Sequence, residues 1–177
     1  MSGESDLIKL YSTRILALAA EIPHLDRLES PRATVKKRSP LCGSAVTVDI
    51  SVTDGRIADF GQDVKACALG QASAAVVGAH VIGRSLEEVE TARDQLKAML
   101  TQNGPVPDAP FDGLEVLQPA REFKNRHASI MLALEATLEA MQTAAKEHCA
   151  GRSRLRPCTG SPKYCNAACT CANQYAV

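Results

Sequence analysis

Val46-Thr47-Val48-Asp49-Ile50-Ser51-Val52-Thr53-Asp54-Gly55 is the stretch of this 177-residue chain whose reading decides the fold. Val46, Val48, Ile50 and Val52 alternate with Thr47, Asp49 and Ser51, the two-residue period of a strand with one apolar and one wet face. Asp54-Gly55 follows as a hairpin turn, because glycine accepts positive φ cheaply, and a return strand runs from Ile57 to about Val64. A weaker signal over residues 34–36 adds a third strand.

Helical patterns flank the hairpin. Leu7, Tyr11, Ile15 and Leu18 recur every three or four residues, which predicts an amphipathic helix over residues 6–20, closed by Pro23. Residues 68–77 are rich in small side chains, so a helix there can approach its sheet closely. Ser85-Leu86-Glu87-Glu88 has the spacing of a capping box, and Leu86, Val89, Leu96 and Leu100 continue that helix towards Gly104. Residues 103–120 are crowded with Gly and Pro and read as a connector or inserted loop outside the core. A last long helix is predicted from Asn125 to about His148, with Ile130, Leu134, Leu138 and Met141 on one face. The fold class is therefore α+β, a small antiparallel three-stranded sheet packed with several helices. The pattern stops near Cys149, dividing the chain into a domain over 1–148 and a Cys-rich tail over 149–177, expected to be flexible.

Twenty Lys+Arg balance twenty Asp+Glu, and aromatics are 3% with no Trp. Zero net charge and few stacking rings argue against a nucleic-acid partner. No apolar run approaches a membrane span, and the acidic start Ser2-Gly3-Glu4-Ser5-Asp6 lacks the order of a secretion signal, so a cytoplasmic protein without a membrane partner is expected.

Of seven cysteines, Cys42 and Cys67 stand apart from the five in residues 149–177. An odd count without a signal peptide disfavours a disulfide framework and leaves reduced thiols, metal ligands or reactive cysteines. Cys42 lies in a Pro-Leu-Cys-Gly-Ser turn before a strand, and Cys67 lies where a later strand passes into a helix. In a hairpin-built sheet those two loops can share one end. A helix N-terminus at Cys67 favours negative charge on its sulfur. The alternative is that each cysteine is a small buried hydrophobe. His127 opens the last helix, where a neutral imidazole can coordinate metal or simply serve as a surface or capping residue. His24 and His80 receive no role.

Ser39-Pro40-Leu41-Cys42-Gly43, the hairpin at Asp54-Gly55, Cys67-Ala68-Leu69-Gly70-Gln71-Ala72-Ser73-Ala74, Gly83-Arg84-Ser85-Leu86-Glu87-Glu88 and Arg126-His127-Ala128-Ser129-Ile130-Met131-Leu132 occur in that order. Together they resemble the IscU/NifU-type iron–sulfur cluster assembly scaffolds over residues 6–145. The long Pro/Gly-containing interval between Cys67 and His127 is closer to the SufU-like branch than to the shorter IscU form. The resemblance implies an IscU/SufE-like fold and a scaffold or carrier that is not an enzyme. Such a protein receives sulfur from a cysteine desulfurase, holds iron and a transient Fe–S cluster or zinc, and passes the cluster to apo acceptor proteins. It also implies Cys42, Cys67 and His127 as metal ligands, and it leaves self-association into a homo-oligomer open.

Three departures accompany the resemblance. Ser44 stands where the family has Asp, Ala128 or Ser129 stands in place of the third cysteine, and Arg121-Glu122-Phe123-Lys124-Asn125 replaces the Leu-Pro-Pro-Val-Lys of the IscU branch. These departures support an alternative, a degenerate member acting as a persulfide acceptor or zinc-binding interaction partner without cluster building. A thiol enzyme with Cys67 as nucleophile and His127 as base lacks a third orienting group. No phosphate-cradling glycine loop is present. In the tail, Cys165-x-x-x-Cys169-x-Cys171 with His148, Cys149 and Cys158 is dense enough for soft metal, but its spacing is not that of a zinc finger or ribbon.

Overall fold

Ser12 starts helix α1 (Thr13–Ala20) by accepting the Ile15 N–H on its Oγ at 3.4 Å, and Ile15 is the residue this helix buries. The computed structural model describes residues 12–40 and 42–152. Leu7, Tyr11 and the predicted start of this helix lie outside them, as does the cysteine-rich end beyond Arg152.

Strands β1 (Ala33–Arg38), β2 (Ala45–Thr53) and β3 (Arg56–Lys65) form one antiparallel sheet in the order β1-β2-β3. The hairpin turns where the sequence places it. Asp54 and Gly55 adopt φ of 51° and 76°, the paired positive values of a turn whose twist matches its strands. Val46, Val48 and Ile50 are wholly buried on β2, as expected of its apolar face.

The opposite face of β2 is not wet. Thr47 and Asp49 are buried, because residues 21–32 fold back across the sheet. Asp49 is fully enclosed and accepts hydrogen bonds from Arg27 Nε and Nη2, from Thr34 Oγ1 at 2.6 Å and from the Leu28 N–H at 3.3 Å. Gln62 ties the same loop to the next helix through Pro23 O (2.8 Å) and Ala74 O (3.2 Å). A side chain at Gly61 would collide with the Asp26 carbonyl, so the loop lies against bare backbone there. The alternation of polar and apolar residues set the strand correctly; the polar face is covered by a loop that supplies its partners.

Helix α2 (Ala68–His80) packs against α1 and, with α3 (Leu86–Thr101), against α4 (Lys124–Arg152). The capping box that opens α3 is complete: Ser85 Oγ accepts from Glu88 N–H and the Glu88 carboxylate accepts from Ser85 N–H. Helix α4 also lies across β1 and β2. Ile130, Leu134, Leu138 and Met141 are buried as expected, but so are Met131, Leu132, Ala133 and Thr137 between them. Only a narrow stripe through Glu135, Glu139 and Gln142 faces outward, so the rest of the helix lies at the centre of the domain.

Residues 103–120 depart from the connector reading. A 3-10 helix runs over Asp112–Glu122, and Phe111, Leu114, Leu117 and Ala120 are buried in the core. Those four residues recur every third position, and a helix with three residues per turn puts them on one face. Pro and Gly obscured that period. Arg121 locks the segment by donating to Met99 O (2.7 Å), Asn103 Oδ1 (2.7 Å) and Gly104 O (3.1 Å) at the end of α3.

Candidate metal centre

Cys42 sits in a tight turn between β1 and β2. Ser39 N–H donates to Ser44 O (2.8 Å) and Gly43 N–H to Ser39 O (3.2 Å), and Gly43 has φ 69°, which a residue with a side chain adopts only under strain. Cys67 is the N-cap of α2, directly after β3, and its side chain makes no cap hydrogen bond. Because β1–β2 and β3–α2 connections meet at one end of the sheet, both thiols reach the same place, and both are free and half-buried.

Two serines join them. Cys42 Sγ donates to Ser44 Oγ (3.1 Å), Ser129 Oγ donates to Ser44 Oγ (3.0 Å), and Cys67 Sγ lies 3.4 Å from Ser129 Oγ. Since the Ser129 proton is given to Ser44, the Cys67 thiol is the donor in the last contact. The result is one row, Cys67–Ser129–Ser44–Cys42, built from α2, α4 and the turn before β2. Of the two residues that could stand in the third-cysteine position, Ser129 is therefore the one at the thiols, while Ala128 lines a neighbouring groove.

Close packing puts Ser129 there. A Cβ on Gly70 would lie 2.6 Å from Ser129 Oγ and 2.8 Å from Ala66 Cβ, so only glycine lets the first turn of α2 come so near α4. Ser73 Oγ fixes the same approach by donating to Ile130 O at 2.7 Å.

The serines also set the chemistry of Cys42. Burial pushes its thiol up, but once the sulfur is ionised the hydroxyls of Ser39, Ser44 and Ser129 and the Ser44 N–H can turn to donate to it, which outweighs burial and brings it down to about 7. A substantial thiolate fraction at neutral pH suits both metal binding and sulfur nucleophilicity.

His127, on the first turns of α4, points Nε2 at the carbonyls of Ala120 (3.0 Å) and Arg121 (3.2 Å). A carbonyl can only accept, so Nε2 carries a proton, and in the tautomer with one ring proton the lone pair is on Nδ1. Among the described residues no group of three or more His, Cys, Asp or Glu side chains is gathered to hold a metal ion. The structure thus brings Cys42 and Cys67 together through serines and leaves His127 bound to the end of the 3-10 helix. Ser39, which the sequence offered only as part of the Cys42 motif, is buried beside this turn within hydrogen-bonding reach of the Cys42 sulfur.

A family profile described as the NifU-like N terminal domain matches residues 10–129, more than half the chain. The chain belongs to the NifU-like N-terminal domain family. Its α+β fold is shared with solved structures. The N-terminal part of a nitrogen-fixing NifU-like protein from Brucella abortus is 38% identical, with a TM-score of 0.78 over 80% of this chain and 99% of that one. A candidate iron–sulfur cluster assembly scaffold protein for the SUF system, from thermophilic Fervidobacterium islandicum AW-1, is 18% identical, with a TM-score of 0.68 over 76% of this chain and 98% of its own. A hypothetical protein at 24% identity and a TM-score of 0.67 shares the same fold over 76% of this chain and 98% of its own. No curated protein matches the chain. Among the described residues of this NifU-like domain, no helix is long and apolar enough to cross a membrane.

Proposed function

We propose that this NifU-like domain is an iron–sulfur cluster assembly scaffold or carrier, not an enzyme, and that iron and a nascent cluster are its cargo. The observation that carries the reading is the pair of thiols, Cys42 and Cys67, joined in one row by Ser44 and Ser129. Thiolates are the protein's ordinary ligands for iron–sulfur clusters, and His replaces Cys on iron in some of them. His127 is proposed as a third donor through Nδ1, since a metal-bound histidine commonly gives its other ring N–H to a backbone carbonyl, as Nε2 does here. Sulfur would come from a cysteine desulfurase and the finished cluster would go to apo acceptor proteins in the cytoplasm.

Anaerobic reconstitution with iron, sulfide and a desulfurase tests this. A thiolate-to-iron absorption spectrum is expected, and it should be lost in Cys42→Ala and Cys67→Ala. An unchanged spectrum in both variants removes the assignment. Metal analysis of the purified protein distinguishes iron from zinc.

The lowered Cys42 thiol supports a second reading, persulfide acceptance without cluster building. The Cys42 thiolate would attack the outer sulfur of a desulfurase persulfide, form a new S–S bond and release the desulfurase thiolate. A mass gain of one sulfur on Cys42 or Cys67, with no iron uptake, selects that reading over the scaffold.

A further inference from the structure

We infer that the open edge of β1 is a docking site for an extended, acidic segment of a partner protein, which joins the sheet as a further strand leading to the Cys42 turn. That this partner gives or takes cargo rests on the scaffold reading; the edge itself stands on its own geometry.

β1 lies at the margin of the sheet, with β2 on one side only. The ladder shows which of its backbone groups are spare. Ser39 N–H donates to Ser44 O, so these two form a hydrogen-bonded pair, and every second position of the register does the same, Lys37 with Val46 and Val35 with Val48. The N–H and C=O of Thr34, Lys36 and Arg38 therefore point away from β2, and among the described residues nothing bonds to them. Beyond this edge lies a trough. β1 and α3 both pack on α4, and α4 floors the space between them. Two adjoining grooves of about 240 and 270 Å³ occupy it: Glu135 lines both, Arg38 and Lys97 the first, Lys37 and Arg93 the second.

Charge selects the occupant. Lys36 and Arg38 are exposed, and their side chains, like that of Lys97 across the trough, form no ion pair or hydrogen bond among the described residues. Lys37 and Arg93 are already paired, with Glu139 at 2.8 Å and Asp94 at 2.7 Å. A second copy is a poor occupant. Two β1 edges paired about a twofold axis set Lys36-Lys37-Arg38 against itself, and like charges facing across strands are destabilising. Lysines on an edge ordinarily block such self-pairing, and the same charges attract an acidic strand. Lys36 and Arg38 are two residues apart on one face of β1, so the complementary pattern is acid-x-acid. Main-chain bonds supply affinity and the alternate acids specificity. Ser39 carries β1 into the turn of Cys42, so a segment held on residues 34–38 brings what adjoins it to the thiols.

The probe is a labelled peptide alternating glutamate and valine, added to the full chain and followed by fluorescence anisotropy. One control replaces glutamate by lysine; the other is N-methylated at its glutamates and cannot complete the ladder. Only the unmodified glutamate peptide is expected to bind, about tenfold or more weakly to Lys36→Glu with Arg38→Glu, with a smaller loss in Lys97→Gln. Amide hydrogen exchange reads the register. Val35 and Lys37 should be protected in the free chain, and the peptide should slow Thr34, Lys36 and Arg38 as well. Failure to bind, equal binding of the N-methylated peptide, unchanged binding in the double variant, or binding without slowing at those three amides overturns the proposal. So does protection of the three in the free chain by self-pairing. Iron loading on Cys42 and Cys67 without peptide binding removes the docking edge and leaves the scaffold. Peptide binding with iron loading that survives Cys42→Ala and Cys67→Ala removes the scaffold reading and leaves the edge.

Discussion

Ser129 donates a hydrogen bond to Ser44 over 3.0 Å, joining the first turns of α4 to the turn before β2 across 85 residues of chain. Each hydroxyl also touches a thiol, so this one contact fixes how Cys42 and Cys67 stand relative to each other. Ser129→Ala is expected to cost about 1 kcal/mol, the ordinary price of a lost buried hydrogen bond. Ser129→Cys places a third sulfur in the row. It should retain iron and sulfide several-fold longer against a chelator than the parent chain, followed by absorbance. Equal loss rates would mean that position 129 does not face the cargo.

Gly70→Ala tests the packing beneath that contact. The new methyl would meet Ser129 Oγ at 2.6 Å and Ala66 Cβ at 2.8 Å, so α2 must move away from α4. Overpacking of this kind costs about 1–3 kcal/mol. Urea unfolding should show that loss, and Cys67 should alkylate faster because its serine partner has moved. Ala at the half-buried turn position Gly83 would be strained by its φ of 83° but should leave Cys67 reactivity alone.

Cys42 should be the pH-sensitive thiol. Its folded value is lowered from 9.0 to about 7, so the unfolded chain binds more protons between those values. The stabilisation is complete above pH 9 and is lost as pH falls through about 7. Stability relative to Cys42→Ser should therefore rise from pH 7 to pH 9. Iodoacetamide rates read by mass spectrometry should show a midpoint near pH 7 at Cys42, moving upward in Ser44→Ala, whose hydroxyl and place in the row support the thiolate.

Asp49 should govern the acid limb of stability. Burial raises its carboxyl, but hydrogen bonds from Arg27 and Thr34, the Arg27 charge and the Leu28 N–H outweigh burial and hold it below the usual carboxylate value. Its contribution is present above that ordinary value and is lost as pH falls through the lowered one. Asp49→Asn keeps the shape but removes the charge, and about 2–3 kcal/mol should be lost at neutral pH. The variant's unfolding curve should also be flatter at acid pH, as measured by circular dichroism.

The β2–β3 hairpin, the capping box at Ser85 and the small-residue helix after Cys67 were legible because each depends on neighbours in sequence. Alternation, a turn dipeptide and an i to i+3 spacing are local facts. The buried polar face of β2 was not legible, because Asp49 finds Arg27 only after residues 21–32 fold over the sheet. The core role of Leu114 and Leu117 was hidden by a three-residue period embedded among Pro and Gly. The motifs singled out Cys42 and Cys67, which the fold brings together, but only three-dimensional packing distinguishes Ser129 from Ala128. Nor could spacing show that His127 Nε2 is already committed to two carbonyls.

The two thiols are mounted on unequal supports. Cys67 and Ser129 belong to helices pressed together at Gly70, whereas Cys42 and Ser44 ride on a short turn closed by backbone bonds from Ser39 and Gly43. The centre thus resembles a vice with one fixed jaw and one sliding jaw. Cargo larger than a row of hydroxyls would be admitted by displacement of Cys42, Gly43 and Ser44. Loading and release should then register in the hydrogen exchange of that turn while α2 and α4 keep their protection.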